Sequence, residues 1–465
     1  EGNYNFSSGS RGKGNLSSEA NPYFLFPQIY NFRYNIFSSE WPVANRVIEL
    51  YLQKKSENGG WERQINGISN NEKAVLLLEK RTFKELLVDM ELRNLQNNIV
   101  GQEASRLFAR AEINMGVEAF RDSLYSLLKR NTFLNIKFEN MLDTLGEISR
   151  TDIRSLLGEW EKTTPLPFYS LGEPTLTKIT NKGGEEFFVL KMLISNNSDY
   201  DGIIHMDIRK DGWWYQPLED PRAKTKIEMP AHTSKEFVSV WEDQIRNVEI
   251  NTMVSGNLPN IISQDINNVK QERNKIVKDS IYILPESSFD LPGEIIVDNE
   301  DSTLFILSAP PIVGLLPKWL DEVEETPFKY SGISWWRPPL QWTATTNDRY
   351  YGKYIRSAFV IKSGDGSQTA TWKVPVPEVG QYDLYYHVFK DDELRWNNNL
   401  QGEYHFKVKY GSEVEDAYVN LRKANEGWEQ LGSYYFDSDT VRVVLTDECK
   451  LRSVTADAVK IVKRY

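Results

Sequence analysis

Histidine is the residue most often used for zinc chemistry, and the chain has four, namely His205, His232, His387 and His405. Zinc peptidases place two histidines one helical turn apart with a glutamate between them, in a His-Glu-x-x-His segment. None of the four histidines is followed by glutamate, and no two lie within about five residues of each other. The spacing therefore predicts no metal site, and each histidine is interpreted as an ordinary strand or loop residue.

Other catalytic motifs are also absent from the sequence. It contains neither a Gly-x-Ser-x-Gly nucleophile turn nor a Gly-x-x-x-x-Gly-Lys-Ser/Thr phosphate loop. A carboxylate pair could serve a glycosidase, but charge clusters such as Glu300-Asp301 are typical of solvated loops, and no pair is singled out. The single cysteine, Cys449, can form no intrachain disulfide and is interpreted as an inert thiol. We predict no catalytic residue, no metal and no cofactor in this chain.

Tryptophans in loop-like sequence give the best indication of a binding surface. Trp335, Trp336 and Trp342 lie in a proline-containing stretch without periodicity, and Trp396 precedes three asparagines. Such rings can stack on sugars or on a partner's side chains, or they can fold back over a core, as large aromatic side chains often do. We predict these four as ligand-binding candidates, with core packing as the alternative. In contrast, Trp372 and Trp428 lie in strand-like sequence and are predicted core residues.

A short acidic motif follows the apolar residues 295–297. Asp298 and Asn299 come directly after this predicted strand. Their side chains suit the capping of a turn, and carboxylate oxygens are also calcium ligands. Because no Asp-x-Asp-x-Asp-Gly loop is present, we favour the turn cap.

Composition bounds the class of protein. The chain has 465 residues, 66 acidic and 55 basic side chains, and a formal net charge of −11. This charge argues against nucleic acid as a partner, because nucleic-acid binding requires cations that neutralise phosphates. No apolar stretch approaches the length that spans a bilayer. The sequence begins at Glu1 rather than at methionine, which favours a processed or partial chain with an upstream domain.

Hydrophobic periodicity divides the chain into regions. From residue 45 to residue 164 apolar residues recur at helical spacing, as in Ala104, Leu107, Phe108 and Ala111, which predicts stacked antiparallel helices. From residue 165 the period becomes two, which predicts a small β-sandwich to residue 262, a polar linker over 263–292, and a second sandwich or jelly roll over 293–465. Residues 1–44 are predicted to be an irregular segment. Three capping boxes are expected at helix starts, at Ser69–Glu72, Thr82–Glu85 and Ser149–Asp152.

The C-terminal region resembles a known family. The motifs in question are Ile296-Val297-Asp298-Asn299, Gly380-Gln381-Tyr382-Asp383-Leu384, Gly427-Trp428-Glu429-Gln430-Leu431-Gly432 and Ala456-Asp457-Ala458-Val459. In this order they resemble the golvesin/xanthan-lyase C-terminal domain, which is described as carbohydrate-binding-like. The resemblance implies a β-sandwich attached to secreted or surface enzymes, and it implies no particular ligand residues.

The preceding region, residues 45–260, is similar to the helices and β-sandwich that follow the catalytic domain of aminopeptidase N-like metallopeptidases. The similarity lies in Gly116-Val117-Glu118-Ala119-Phe120, in Ile148–Ile153, and in Leu157 and Trp160. Neither the zinc motif nor the Gly-x-Met-Glu-Asn substrate motif of that family is present, so the resemblance implies a non-catalytic part.

Two functional hypotheses follow. The first is a non-catalytic accessory or scaffold region of a secreted or surface metallopeptidase-like protein, with an upstream catalytic domain and a C-terminal carbohydrate- or surface-binding-like module. The alternative is a stand-alone protein that binds glycan or cell-envelope material. Both hypotheses place the protein outside the cytoplasm.

Overall fold

A computed structural model describes residues 34–53, 60–181, 183–210, 216–273, 277–286, 289, 293–308, 328–334, 337–390 and 402–464. By its internal contacts the chain divides into two compact units. Unit 1 contains the described residues of 1–57, 74–166 and 224–228, and unit 2 contains those of 58–73, 167–223 and 229–465. The predicted mixed organisation, with helices first and a β-rich C-terminal region, is confirmed in this coarse form.

The helical region follows the predicted periodicity. Its helices are α1 (Ala44–Leu52), α2 (Gly60–Asn66), α3 (Asn70–Lys80), α4 (Phe83–Val88), α5 (Gln96–Met115), α6 (Val117–Arg130) and α7 (Phe138–Ser149), with 3-10 turns at Met90–Leu92 and Arg154–Glu161. Two short strands, β1 (Asn35–Phe37) and β2 (Asn135–Lys137), pair in parallel within unit 1.

Two of the three expected capping boxes form. Ser69 and Glu72 exchange hydrogen bonds between side chain and backbone, as do Thr82 and Glu85. The third prediction is wrong because Ser149 ends α7 instead of starting a helix, and its hydroxyl donates back to the carbonyl of Leu145 at 2.8 Å. The following turn is capped by a different residue, Asp152.

The core of unit 1 is built around Trp160. Its indole is 2% exposed and makes edge contacts with Trp41 and Phe83, at ring-centroid distances of 5.0 and 4.9 Å. A charged pair also lies inside this unit, where the Lys226 ammonium contacts the Glu112 carboxylate.

The first β region contains the strands β3 (Tyr169–Leu171), β4 (Thr175–Thr180), β5 (Glu186–Asn196), β6 (Gly202–Lys210), β7 (Gln216–Pro217), β8 (Lys224–Met229), β9 (Thr233–Trp241), β10 (Ile245–Asn251), β11 (Ile261–Asp265), β12 (Val269–Arg273) and β13 (Ser280–Pro285). One sheet has the order β12-β4-β5-β9-β13, with β3 on β5, and another contains β11-β10-β6-β7.

The segment 263–292, predicted as a linker, instead contributes to these sheets. It supplies most of β11 and all of β12 and β13. β12 and β13 are edge strands, and most of their side chains are exposed. Edge strands with two exposed faces lack the apolar alternation by which half-buried strands are recognised, which is why the sequence resembled a linker.

The C-terminal region is all-β. Its strands are β14 (Glu294–Val297), β15 (Phe305–Leu307), β16 (Thr343–Thr346), β17 (Ser357–Lys362), β18 (Thr369–Pro375), β19 (Gly380–Val388), β20 (Glu403–Tyr410), β21 (Glu413–Asn420), β22 (Gly427–Phe436), β23 (Thr440–Thr446), β24 (Ser453–Ala456) and β25 (Val459–Lys463). Three sheets have the orders β14-β25-β19-β22, β15-β18-β23-β20-β21 and β16-β17-β24.

Strict alternation places one core between the two larger sheets. Leu384 of β19 and Ile461 of β25 join Trp372 of β18 and Phe406 of β20 in a single cluster, and all four are fully buried. The indole Nε1–H of Trp372 donates to the carbonyl of Asp457 at 3.1 Å. The prediction that Trp372 is a core residue is confirmed. Because each sheet buries one face, its other face is available for contacts outside this core.

Candidate functional site

The structure places only one of the four predicted tryptophans. Trp335, Trp336 and Trp396 lie outside the described residues. Trp342 is half-buried and packs against the core of the C-terminal region, and its Nε1 is buried without a hydrogen-bond partner in the described structure. This is the arrangement of the core-packing alternative.

A more complete set of ligand-type side chains lies on the outer face of the sheet β14-β25-β19-β22. Every second residue of β19 is buried, so the residues between them point outward. The pairing register places neighbours from β22 and β25 beside them. We call this outward set the β19 face, and it consists of Asp383, Tyr385, His387, Trp428, Gln430, Ser433 and Lys460.

The position of Trp428 corrects the sequence-based prediction that it is a core residue. Tyr434 and Phe436 of the same strand are buried, and strict alternation from them would bury Trp428 as well. The register shifts, however, because Leu384 pairs with Gly432 whereas the next residue, Tyr385, pairs with Gln430. Because of this β-bulge, the side chains of the residues before it point to the opposite face of the sheet from the one that strict alternation would give. Trp428 is therefore half-buried on the outer face, directly opposite His387.

Three rings form a cluster at one end of the β19 face. The ring of Trp428 lies 5.2 Å from that of His387 and 5.1 Å from that of Tyr351, which comes from the segment before β17. Tyr351 and His387 are 5.8 Å apart. Contacts at these distances are favourable for aromatic side chains and hold the rings in fixed orientations.

A buried carboxylate holds this cluster from below. Asp457 is fully buried and accepts a hydrogen bond from Nδ1 of His387 at 2.9 Å and from the backbone N–H of Tyr351 at 3.1 Å. Burial raises the pKa of Asp457, and the neighbouring His387 opposes that rise. A residue that fixes both a ring and a loop in this way is a positioning residue for the face above it.

A cation lies in the middle of the β19 face. The Lys460 ammonium is 4.9 Å from the ring centre of Trp428 and 5.4 Å from that of Tyr385. It also forms an ion pair with Glu294 at 2.9 Å. The ammonium thus interacts with two aromatic rings and one carboxylate. At these distances a cation is attracted to the face of an aromatic ring.

The other end of the β19 face is polar. Asp383 accepts hydrogen bonds from Gln430 Nε2 at 3.0 Å and from the hydroxyl of Ser433 at 2.5 Å. The guanidinium of Arg464 donates to the second carboxylate oxygen of Asp383 at 2.8 Å, and this hydrogen bond is the main reason that the pKa of Asp383 lies below its usual value. The face therefore combines exposed portions of aromatic rings with hydrogen-bonding groups of fixed direction.

The turn after β14 is arranged as predicted for a cap. Asp298 accepts a hydrogen bond from the backbone N–H of Asn299 at 2.7 Å. Desolvation raises the pKa of Asp298 well above its usual range, and the charges of Asp457 and Glu300 add to the rise. Among the described residues no group of three His, Cys, Asp or Glu side chains is arranged to hold a metal ion.

A family comparison agrees with this part of the structure. Residues 338–463 match the golvesin C-terminal domain. The predicted resemblance of the C-terminal region is thereby confirmed, and we refer to residues 293–465 as the golvesin-like module. A module of this family indicates a binding or accessory function. The similarity of residues 45–260 to aminopeptidase N-like proteins stays a prediction.

Comparisons with whole proteins add little. No curated protein matches the chain. Among solved structures it is similar to a Bacteroides uniformis beta-glucuronidase, with 10% identity, a TM-score of 0.19, and coverage of 68% of this chain and 32% of that one. It is also similar to Bacteroides uniformis beta-glucuronidase 2 covalently bound to cyclophellitol-6-carboxylate aziridine, with 11% identity, a TM-score of 0.20, and coverage of 75% and 38%. The chain thus spans about a third of the length of these proteins, and at such TM-scores the likeness indicates neither a fold nor an activity.

One finding bears on the membrane. In the part of the chain that the structure describes, no helix has the length and apolar character needed to cross a bilayer.

Proposed function

We propose that the golvesin-like module binds glycan through the β19 face, and that the chain is an exported accessory region in which the helices and the first β region carry this module. The observation that supports the proposal is the position of Trp428 and Tyr385. Both rings are half-buried on an outer sheet face, within reach of the hydrogen-bonding group Asp383–Gln430–Ser433.

The chemistry of a sugar ring fits this arrangement. A pyranose has an apolar C–H surface that packs on an aromatic ring and a rim of hydroxyl groups that need donors and acceptors. Trp428 and Tyr385 supply the aromatic surface. Asp383 supplies an acceptor and Gln430 supplies both kinds of group at the polar end. Because Asp457 and the bulge already fix the orientation of the aromatic end, these side chains would lose little conformational freedom on binding.

The experiment is a glycan panel measured by affinity electrophoresis with the full chain and two variants, Trp428→Ala and Tyr385→Ala. Each variant is expected to weaken binding of the recognised glycan by about 10- to 30-fold, which corresponds to a hot-spot contribution of about 1.4–2 kcal/mol. Tyr200→Ala serves as the control, because Tyr200 is 48% exposed in a loop of the first β region. It should leave binding unchanged.

The sequence-based candidates are tested in the same assay. A double variant, Trp335→Ala with Trp336→Ala, is expected to retain binding if the β19 face is the site. Loss of binding in this double variant, with full binding in Trp428→Ala and Tyr385→Ala, would contradict the proposal and move the site to the sequence segment that contains those tryptophans.

A further inference from the structure

A row of like charges crosses the other large sheet of the golvesin-like module. Lys373 of β18 pairs directly with Arg442 of β23, and Arg442 pairs directly with Lys409 of β20. Each lies between two buried residues of its strand, so all three side chains point to the outer face of this sheet. Lys407 lies on the same face, two residues from Lys409. We call these four residues the cation row.

Like charges in directly opposed positions destabilise a sheet. Partners of opposite charge usually offset this repulsion, yet none of the four residues forms an ion pair within the described parts of the chain. The acidic residue nearest in register is Asp416, opposite Lys407, and its carboxylate accepts a hydrogen bond from His405 at 2.7 Å. Among the described residues the row is thus a positive strip without ion-pair partners, in a protein of net charge −11.

From this arrangement we infer that the cation row binds an acidic polysaccharide that carries one carboxylate per sugar residue, with the polymer lying across strands β18, β23 and β20. This surface is separate from the β19 face, and the inference does not depend on glycan binding there.

The spacing of the row supports this ligand. Adjacent strands lie about 4.8 Å apart, so three opposed residues present charges at that interval over about 10 Å. A polyuronate carries one carboxylate per sugar residue, so several carboxylates of one extended chain can lie along such a strip. Arg442, in the centre, has the planar fork that engages a carboxylate with two hydrogen bonds, and the flanking lysines add point charges. Arg442 and Lys409 are exposed, and Lys373 and Lys407 are partly exposed.

Other polyanions fit less well. A single row of three or four cations neutralises few phosphates, and the net negative charge opposes an extended contact with nucleic acid or with an anionic membrane. The turns next to the row carry Asp437 and Asp439, which form no ion pair with it in the described structure. These carboxylates would repel a polyanion that spreads beyond the strip, whereas a single chain along the strip avoids them.

The test measures binding of polygalacturonate to the full chain by affinity electrophoresis at several salt concentrations. The double variant Arg442→Glu with Lys409→Glu should weaken binding at least tenfold and remove most of its salt dependence. The milder variant Arg442→Gln should weaken binding without lowering Tm, since it relieves repulsion between like charges. The matched control is Lys362→Glu with Lys450→Glu, which makes the same charge change at exposed positions of the module and should bind as the unmodified chain does.

Each outcome decides the question. Equal binding by the charge-reversed variant and the control would overturn the inference, because the cation row would then contribute no more to binding than exposed lysines elsewhere in the module. Tighter binding of single-stranded DNA or of phosphatidylglycerol vesicles than of polygalacturonate would also overturn it. Loss of polygalacturonate binding in Trp428→Ala, with full binding in the double variant Arg442→Glu with Lys409→Glu, would assign the polymer to the β19 face and would overturn this inference while leaving the proposal for that face intact.

Discussion

The pair formed by His387 and Asp457 should govern the local stability of the golvesin-like module. The perturbations are His387→Phe, which keeps a ring, and His387→Ala, which removes it. His387→Phe removes a hydrogen bond to a charged acceptor that is fully buried, which costs about 1.5–3 kcal/mol. His387→Ala also removes ring contacts with Tyr351 and Trp428, each of which contributes about 0.5–1.5 kcal/mol. We therefore expect losses of about 2 kcal/mol for phenylalanine and about 3–5 kcal/mol for alanine.

The measurement is native-state hydrogen exchange of the β19 and β25 amides in the full chain. This readout is local, which is necessary because a chain of two compact units need not unfold in one step. In the background of Asp457→Asn, the cost of His387→Phe should fall below about 1 kcal/mol, because the charge that made the hydrogen bond strong has been removed.

His387→Phe should also change how the stability of the golvesin-like module depends on pH. Burial already raises the pKa of Asp457, and without His387 the pKa should rise further. The folded state then binds a proton that the unfolded state releases near pH 4, so stability decreases as pH rises through that window. In His387→Phe the stability of the module should therefore decrease more strongly between pH 4 and pH 8 than in the unmodified chain. A cost below about 0.5 kcal/mol in both backgrounds, with an unchanged pH profile, would refute the reasoning.

Two further predictions concern buried charge. Asp298→Asn should raise Tm at pH 8 and have a diminishing effect toward pH 4, because the raised pKa of Asp298 means that its ionised form costs stability at high pH; a thermal melt series that shows no gain at pH 8 would contradict this. Lys226→Met should destabilise unit 1 by about 3–5 kcal/mol by leaving Glu112 buried without its cation, and adding Glu112→Gln should recover most of the loss, as measured by exchange of the α5 amides. If the single and double variants lose the same amount, packing of the lysine and not its charge is responsible.

Local patterns in the sequence predict local structure well here. The helical stripes, the capping boxes of Ser69 and Thr82, and the burial of Trp372 all depend on residues within one element and its period. The resemblance to the golvesin C-terminal domain likewise depends on ordered short motifs. These features need no knowledge of distant contacts, so the sequence by itself determined them.

The features that the local sequence pattern did not predict depend on how strands pair. Trp428 looks like a core residue until the bulge beside Leu431 reverses its direction, and a bulge is a property of two paired strands. The segment 263–292 looks like a linker because its strands lie at sheet edges. The cation row brings together Lys373, Arg442 and Lys409 from three strands that are distant in the sequence. Only the tertiary structure decided these features, since strand register, which no local pattern contains, determines which side chains share a face.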